Sequence, residues 1–240
     1  MTVTVDEPES LRDRVYVDLG KKLMTGELDT RTRLVESQLC DVLNVSRTPL
    51  REALVRLHAD GMLERRQDGY YPVALDIAGV RDLYELRIII ELRGITRILE
   101  NEELTYDKDA LAALRIEWKE LEARPPKPEA DMVLLDESFH LELSKASGNM
   151  AMVATLDNLN RRIRLIRMYD FVTAERVTAT IEEHLEILDL LLDDELIAGS
   201  KALHNHIGAS FEVVERRAIR ALTARTLGNS VTSLESLWRS

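Results

Sequence analysis

The chain has 240 residues, 45% of them hydrophobic and 31% charged, with a formal net charge of −11 at pH 7. That is apolar material for one large core or two modest ones, and it excludes a disordered chain. The single cysteine, Cys40, excludes an internal disulfide. With no apolar run of membrane-spanning length and no basic-then-apolar leader in MTVTVDEPES, the expectation is a cytoplasmic protein without a membrane partner.

Residues 1–8 read as a loose start. From Glu9 to Met24, Leu11, Val15, Leu19 and Leu23 recur at helical spacing; Gly26 closes that helix and Glu27–Arg33 is a polar connector. A short helix from Glu36 to Leu43 places Leu39, Val42 and Leu43 on one face and ends at Asn44, which tolerates left-handed backbone. After a three-residue turn, Ser46 or Thr48 is positioned to cap a second helix, with Pro49 in its first turn and Leu50, Ala53, Leu54 and Leu57 as its buried stripe. Arg47, Arg51, Val55 and His58 fall on the opposite face. Met62–Arg66, the turn Gln67-Asp68-Gly69 and Tyr70–Ala74 then read as a two-stranded wing.

That order suits a recognition helix in a DNA major groove. Arg47 and Arg51, with Thr48 between them, can reach base edges, and Arg65 and Arg66 on the wing put positive charge beside phosphate. The plain alternative is a helical hairpin whose arginines form a solvated face. Charge distribution bears on the choice: over Arg31–Arg66, seven Arg against five Asp/Glu give +2, leaving −13 for the rest of the chain. A basic reading head on an acidic body is compatible with DNA binding, because only the face at the phosphates must be positive.

From Asp76 onward the pattern is helical throughout, with stretches at 77–101, 107–123, 131–147, 150–171, 174–194 and 196–226. Pro125, Pro126 and Pro128 mark one loop and Gly148-Asn149 another. The expected fold is therefore mainly all-α: a winged helix-turn-helix over residues 1–75, an antiparallel bundle of six or seven helices over 76–227, and a tail at 228–240. Within the bundle, polar residues interrupt apolar stripes. Asp136 and His140 fall between Val133 and Leu143, His184 among Ile181, Leu188 and Leu191, and His206 among Ala202, Ala209 and Val213. An Asp and a His four residues apart project side by side, and two more imidazoles would complete a set for a divalent ion, Zn²⁺ first, with Ni²⁺, Mn²⁺ or Fe²⁺ behind it. Each histidine alone reads more readily as a core residue hydrogen-bonded to a carbonyl than as a ligand.

The run Ser46-Arg47-Thr48-Pro49-Leu50-Arg51-Glu52-Ala53-Leu54, with Glu36 and Leu39 before it and Asp60-Gly61 after it, resembles the winged helix-turn-helix of GntR-type bacterial transcription regulators. The resemblance implies that Arg47 and Arg51 face an operator. Ser37 stands where the fatty-acid regulators of the family carry a third DNA-contacting arginine. Asp136, Phe139-His140, Gly148-Asn149, Glu183-His184 and His206-Ile207 resemble the FCD effector-binding domain of the FadR-like branch. It implies that Asp136, His140, His184 and His206 hold a divalent metal beneath a cavity for a small carboxylate. Leu83-Tyr84-Glu85-Leu86-Arg87 and Glu91 match that domain's opening helix, where the arginine commonly faces the cavity. Arg87 is thus a candidate for the effector carboxylate, or for a buried pair with Glu91. Arg162 and Tyr169 are further candidates on the cavity-flanking edge of their helix.

The expectation is a ligand-responsive transcription regulator, a repressor in sign, that binds palindromic double-stranded operator DNA as a homodimer and takes a small organic acid. It has no assigned catalytic residue. Two other classes fit parts of the pattern: a metal-dependent hydrolase or lyase on the same four ligands, and a helical scaffold for protein partners.

Overall fold

The computed structural model describes residues 11–25, 28, 33–73, 77–128, 132–171 and 173–226. The expected loose start, Gly26, the division near residue 75 and the tail 228–240 lie outside the described residues. Among the described residues the chain runs α1 (Leu11–Thr25), α2 (Glu36–Leu43), α3 (Arg47–Ala59), β1 (Leu63–Arg66) and β2 (Gly69–Pro72). It continues with α4 (Ile77–Glu100), α5 (Lys108–Ala123), α6 (Met132–Ala146), α7 (Met150–Arg167), α8 (Ala174–Leu192) and α9 (Leu196–Thr226). The fold is mainly helical with one two-stranded antiparallel sheet. None of the described helices is long and apolar enough to cross a membrane.

Two separate apolar clusters organise the chain. In the head, Val15, Leu19 and Leu23 of α1 pack with Leu50, Leu54 and Leu57 of α3 and with Met62 and Leu63 at the start of the wing. In the body, a second cluster running from Val80 to Ala218 fills the space among α4 to α9. Helix α4 lies along α9 and α7, α5 packs on α8 and α6, and α6 on α7, so the inner faces of α4, α6, α8 and α9 meet at the middle of the bundle. This is where the interrupted stripes of the sequence converge.

Local signals set most of the boundaries. Asn44 ends α2 at φ 50°, in the left-handed region. Asp107, Asn149 and Thr173 cap α5, α7 and α8 by accepting from backbone N–H groups of their first turns. Ser46 occupies the N-cap of α3 with extended backbone, yet it makes no side-chain cap. The reason lies in Pro49: the third helical position is a usual donor to such a cap, and proline has no N–H to give.

Two of the differences from the periodicity have a visible cause. The wing strands pair Arg66 with Gly69 and Leu63 with Pro72, so the loop is two residues, Gln67-Asp68, rather than three. Gly69, at φ 148°, reaches this early pairing through backbone that L side chains rarely adopt. A third segment, unforeseen, joins the wing where Leu34 N–H donates to Tyr70 O at 2.9 Å. Helix α7 stops at Arg167 instead of 171, because the following turn presents its carbonyls sideways: Arg217 donates to Tyr169 O at 2.8 Å and Asp170 O at 2.5 Å.

The register of α3 is testable by paired truncations. Leu57 is fully buried and Val55 is 56% exposed. In urea denaturation, Leu57→Ala should cost about 2–5 kcal/mol, whereas Val55→Ala should stay within about 0.5 kcal/mol.

Candidate metal centre and DNA-reading surface

Helix α6 supplies Asp136 and His140 one turn apart, α8 supplies His184 and α9 supplies His206. All four are essentially excluded from solvent. On α9 the buried stripe is Leu203, His206, Ile207, Ser210 and Val214, so Ala202, Ala209 and Val213 are not its core positions as expected. His204, two residues from His206, is exposed. The four candidate ligand atoms lie within 4.8 Å of one another. His206 Nε2 is 3.2 Å from His140 Nε2 and 3.1 Å from His184 Nε2, and Asp136 Oδ1 is 3.4 Å from His184 Nε2.

The far sides of two rings fix their tautomers. His140 Nδ1 is 2.5 Å from Glu91 Oε2, and His206 Nδ1 is 2.6 Å from Glu183 Oε2. A carboxylate only accepts, so each Nδ1 carries the proton and each Nε2 presents a lone pair. Two acceptors then face each other with no proton between them. A cation resolves that conflict, and the N–N and N–O spacings suit the edges of a coordination shell with bonds of about 2.0–2.2 Å. Three imidazoles and one carboxylate are a donor set for Zn²⁺ and neighbouring divalent ions. These residues fit a metal.

Electrostatics keep the imidazoles neutral. Burial lowers His140 despite the opposing pull of Glu91. Burial, joined by His206 and His140, holds His184 well below the usual range, and burial takes His206 to about 4. Burial alone would raise Glu91, but Arg87 and His140 outweigh it and hold the carboxyl below its ordinary value. The His184 ring stacks on Phe139 with centroids 3.6 Å apart, and its Nδ1 has no hydrogen-bond partner.

Arg87 is buried and donates from Nε to Glu91 Oε1 at 2.5 Å, so the pair with Glu91 is made. Its Nη2 is buried without a partner, as are Tyr84 Oη, Asn160 Nδ2 and Arg167 Nε. Arg162 corrects the sequence reading: it is exposed, on the outer side of α7. The inward positions are Asn160, Ile163, Arg164 and Arg167, and a residue two places from Asn160 is turned about 200° from it. Tyr169 is buried in the apolar core just past the end of α7. Arg167, which sequence reasoning missed, pairs with Asp136 Oδ2 and leaves Oδ1 turned toward the histidines.

On the head, Arg47, Thr48 and Arg51 are exposed at the start of α3. Arg51 donates from Nε to Glu36 Oε2 of α2 at 2.8 Å, whereas Arg47 makes no ion pair among the described residues. On the wing, Arg66 pairs with Glu64 and lies over the Tyr71 ring at 4.0 Å, and Arg65 is exposed. Two exposed arginines one turn apart on a helix, flanked by a hairpin that carries two more, match the groove-and-backbone division of labour in winged helix-turn-helix proteins.

Comparison with known proteins agrees. The model of the bacterial regulatory proteins of the gntR family matches residues 11–69, and that of the FCD domain matches residues 82–209. The chain belongs to the GntR family. Its head and body are those of a DNA-binding transcription regulator with an FCD domain, not of an enzyme. The Nta operon transcriptional regulator of Aminobacter aminovorans is 32% identical over 198 residues, covering 80% of this chain and 90% of that one. The HTH-type transcriptional repressor RspR of Escherichia coli is 24% identical, covering 87% and 90%. In fold, this GntR chain is similar to Lar of Listeria monocytogenes, with a TM-score of 0.62 at 20% identity over 88% of this chain and 99% of that one. It is similar also to McbR/YncC of E. coli, with a TM-score of 0.57 at 20% identity over 87% and 98%.

The buried neutral imidazoles predict a pH dependence in chelator-treated protein. Their folded values lie below the ordinary 6.5, so the unfolded chain takes up protons first as pH falls. Stability is full above about 6.5 and declines toward about 4, by up to about 1.4 kcal/mol per pH unit for each histidine. Glu137, raised by burial, opposes this with one proton against three. The melting temperature should therefore be lower at pH 5 than at pH 7; equal values would contradict the neutral trio.

Proposed function

We propose that this regulator is a homodimeric repressor of a palindromic operator, controlled by a small organic acid that binds above a divalent metal, Zn²⁺ favoured, in the FCD body. The observation that carries the reading is the convergence of the Nε2 atoms of His140, His184 and His206 beside Asp136 Oδ1. Glu91 and Glu183 orient two of the rings, and Arg167 holds the second oxygen of Asp136. When bound, the ion supplies an open coordination position for an anionic oxygen.

The effector side of the reading rests on unanswered donors. Arg87 Nη2, Arg167 Nε, Tyr84 Oη and Asn160 Nδ2 are buried without acceptors, although each of the two guanidiniums has a carboxylate partner through another nitrogen. Tyr84 and Arg87 approach each other, with the guanidinium carbon 5.9 Å from the ring centroid. A carboxylate offers acceptors that a guanidinium meets with a two-pronged fork. Buried unpaired donors destabilise the ligand-free body, so a carboxylate that satisfies them binds with that cost removed.

One recognition helix reads only a few base pairs, which supports two heads on a two-fold site. The naming of the E. coli relative as a repressor supports the sign. Effector binding would alter operator affinity by roughly 5–150-fold, the usual span of allosteric coupling.

Elemental analysis of protein purified without chelator or affinity-column metal should find about one equivalent of a first-row divalent ion. His184→Ala should lose it while keeping its helical circular dichroism; the same metal content in both proteins would overturn the ligand set. With DNA selected from a random duplex pool, Arg47→Ala and Arg51→Ala should each weaken binding by about 1–3 kcal/mol and relax base preference. Unchanged footprints for both would remove the recognition-helix assignment.

A further inference from the structure

Away from the histidines, a second buried ionic cluster joins the head to the body. The Tyr16 hydroxyl of α1 donates to Asp60 Oδ2 at 2.8 Å. Arg164 of α7 reaches the same two groups, with Nη1 3.2 Å from Asp60 Oδ2 and 3.2 Å from Tyr16 Oη. The rest of its guanidinium grips Glu137 of α6, with Nε at 3.0 Å from both oxygens and Nη2 at 2.5 Å from Oε2. The Arg164, Asp60 and Glu137 side chains are 9%, 2% and 5% exposed. Asp60 is the C-cap of α3, so this cluster ends on the recognition helix itself.

Its position on the helices matters. Glu137 follows Asp136, and Arg164 precedes Arg167 by three residues, so α6 and α7 are tied twice within one helical turn. One tie, Asp136 to Arg167, belongs to the metal centre. The other, Glu137 to Arg164, belongs to the head. Asp136 turns Oδ1 to His184 and His206 and shares Oδ2 between Arg167 and, at 3.7 Å, His140. Any change in that division moves Arg167, and Arg164 rides on the same helix.

We propose that Arg164 is the positioning residue through which the state of the Asp136 centre is passed to the recognition helix. Its guanidinium spans α6, α7, α1 and the end of α3, and each of its partners is desolvated. A buried carboxylate abandoned by its guanidinium is strongly destabilised, so Asp60 follows α7 rather than slipping past it. A second arrangement of Asp136 would thereby become a second placement of α3, the kind of discrete element that coupling requires. The metal as trigger rests on the function proposed above; the tie between Asp136 and Asp60 does not.

Hydrogen exchange of the full chain in chelating buffer, read by peptide mass spectrometry, tests the tie without any ligand. Asp136→Asn should change exchange in the last turn of α3, Arg56–Asp60, by about fivefold or more. The same substitution made on an Arg164→Met background, or on Asp60→Asn should the first fail to fold, should leave that turn as in the background protein. A purely structural Arg164 would shift the baseline but not erase the response to Asp136→Asn. An α3 that ignores Asp136→Asn, or that responds equally with and without the Arg164 guanidinium, overturns the proposal. Zn²⁺ added to the wild-type chain is scored separately by calorimetry and exchange. Zinc that binds without altering α3 also overturns it, whereas failure to bind zinc removes the metal reading and leaves the mutant cycle to decide the tie.

Discussion

Three neutral imidazoles whose Nε2 atoms converge in a desolvated core set the terms for the rest of the body. Such an arrangement is unfavourable unless each ring is held from behind, and two of the rings are held by carboxylates on other helices. Those carboxylates need counter-charges in turn. Arg87 serves Glu91, and Arg176 serves both Glu183 and Asp170. The polar core is therefore built outward in layers, from imidazole to carboxylate to guanidinium; the imidazole comes from one helix, and the carboxylate and guanidinium behind it share another, α4 behind His140 and α8 behind His206. Apolar packing brings α4, α6, α8 and α9 together, but this layering dictates their rotational setting.

The same layering explains a charge pattern at odds with the net value. The chain as a whole is acidic, yet Arg87, Arg164, Arg167 and Arg176 are buried. An acidic exterior keeps the body off nucleic acid, while an interior rich in guanidinium suits an anion. The exposed arginines of the head stand in the opposite setting, in water, where salt screens them.

Much of this was legible in the sequence because it follows from periodicity. The helices, the wing and the inward placement of Asp136, His140, His184 and His206 come from repeats of 3.6 and 2 residues, which a single chain displays. What escaped depends on facts that periodicity does not carry. The segment Arg161-Arg162-Ile163-Arg164-Leu165-Ile166-Arg167 is so rich in arginine that its buried members are identified only by their partners, and Arg162 was assigned inward while Arg164 and Arg167 were overlooked. Glu91 and Glu183 stood in recognised motifs, but their role behind the rings is a three-dimensional one. The missing cap on α3 was in principle readable, since Pro49 removes the donor. Asp60 and Tyr16 gave no signal, because the contact that makes them matter spans more than a hundred residues to Arg164.

The pairing of Arg51 with Glu36 gives the head a property of its own. The O6 and N7 edge of guanine and a carboxylate offer a guanidinium the same thing, two acceptors and no donor. Glu36 of α2 already offers the Arg51 guanidinium one such acceptor, through Nε–Oε2 at 2.8 Å between side chains that both meet solvent. Any acceptor brought to Arg51 would therefore compete with a partner in place, and its gain would be the difference between the two contacts. A cytosine amino group, which only donates, would not displace the carboxylate. The pairing makes α2 a contributor to what α3 can meet.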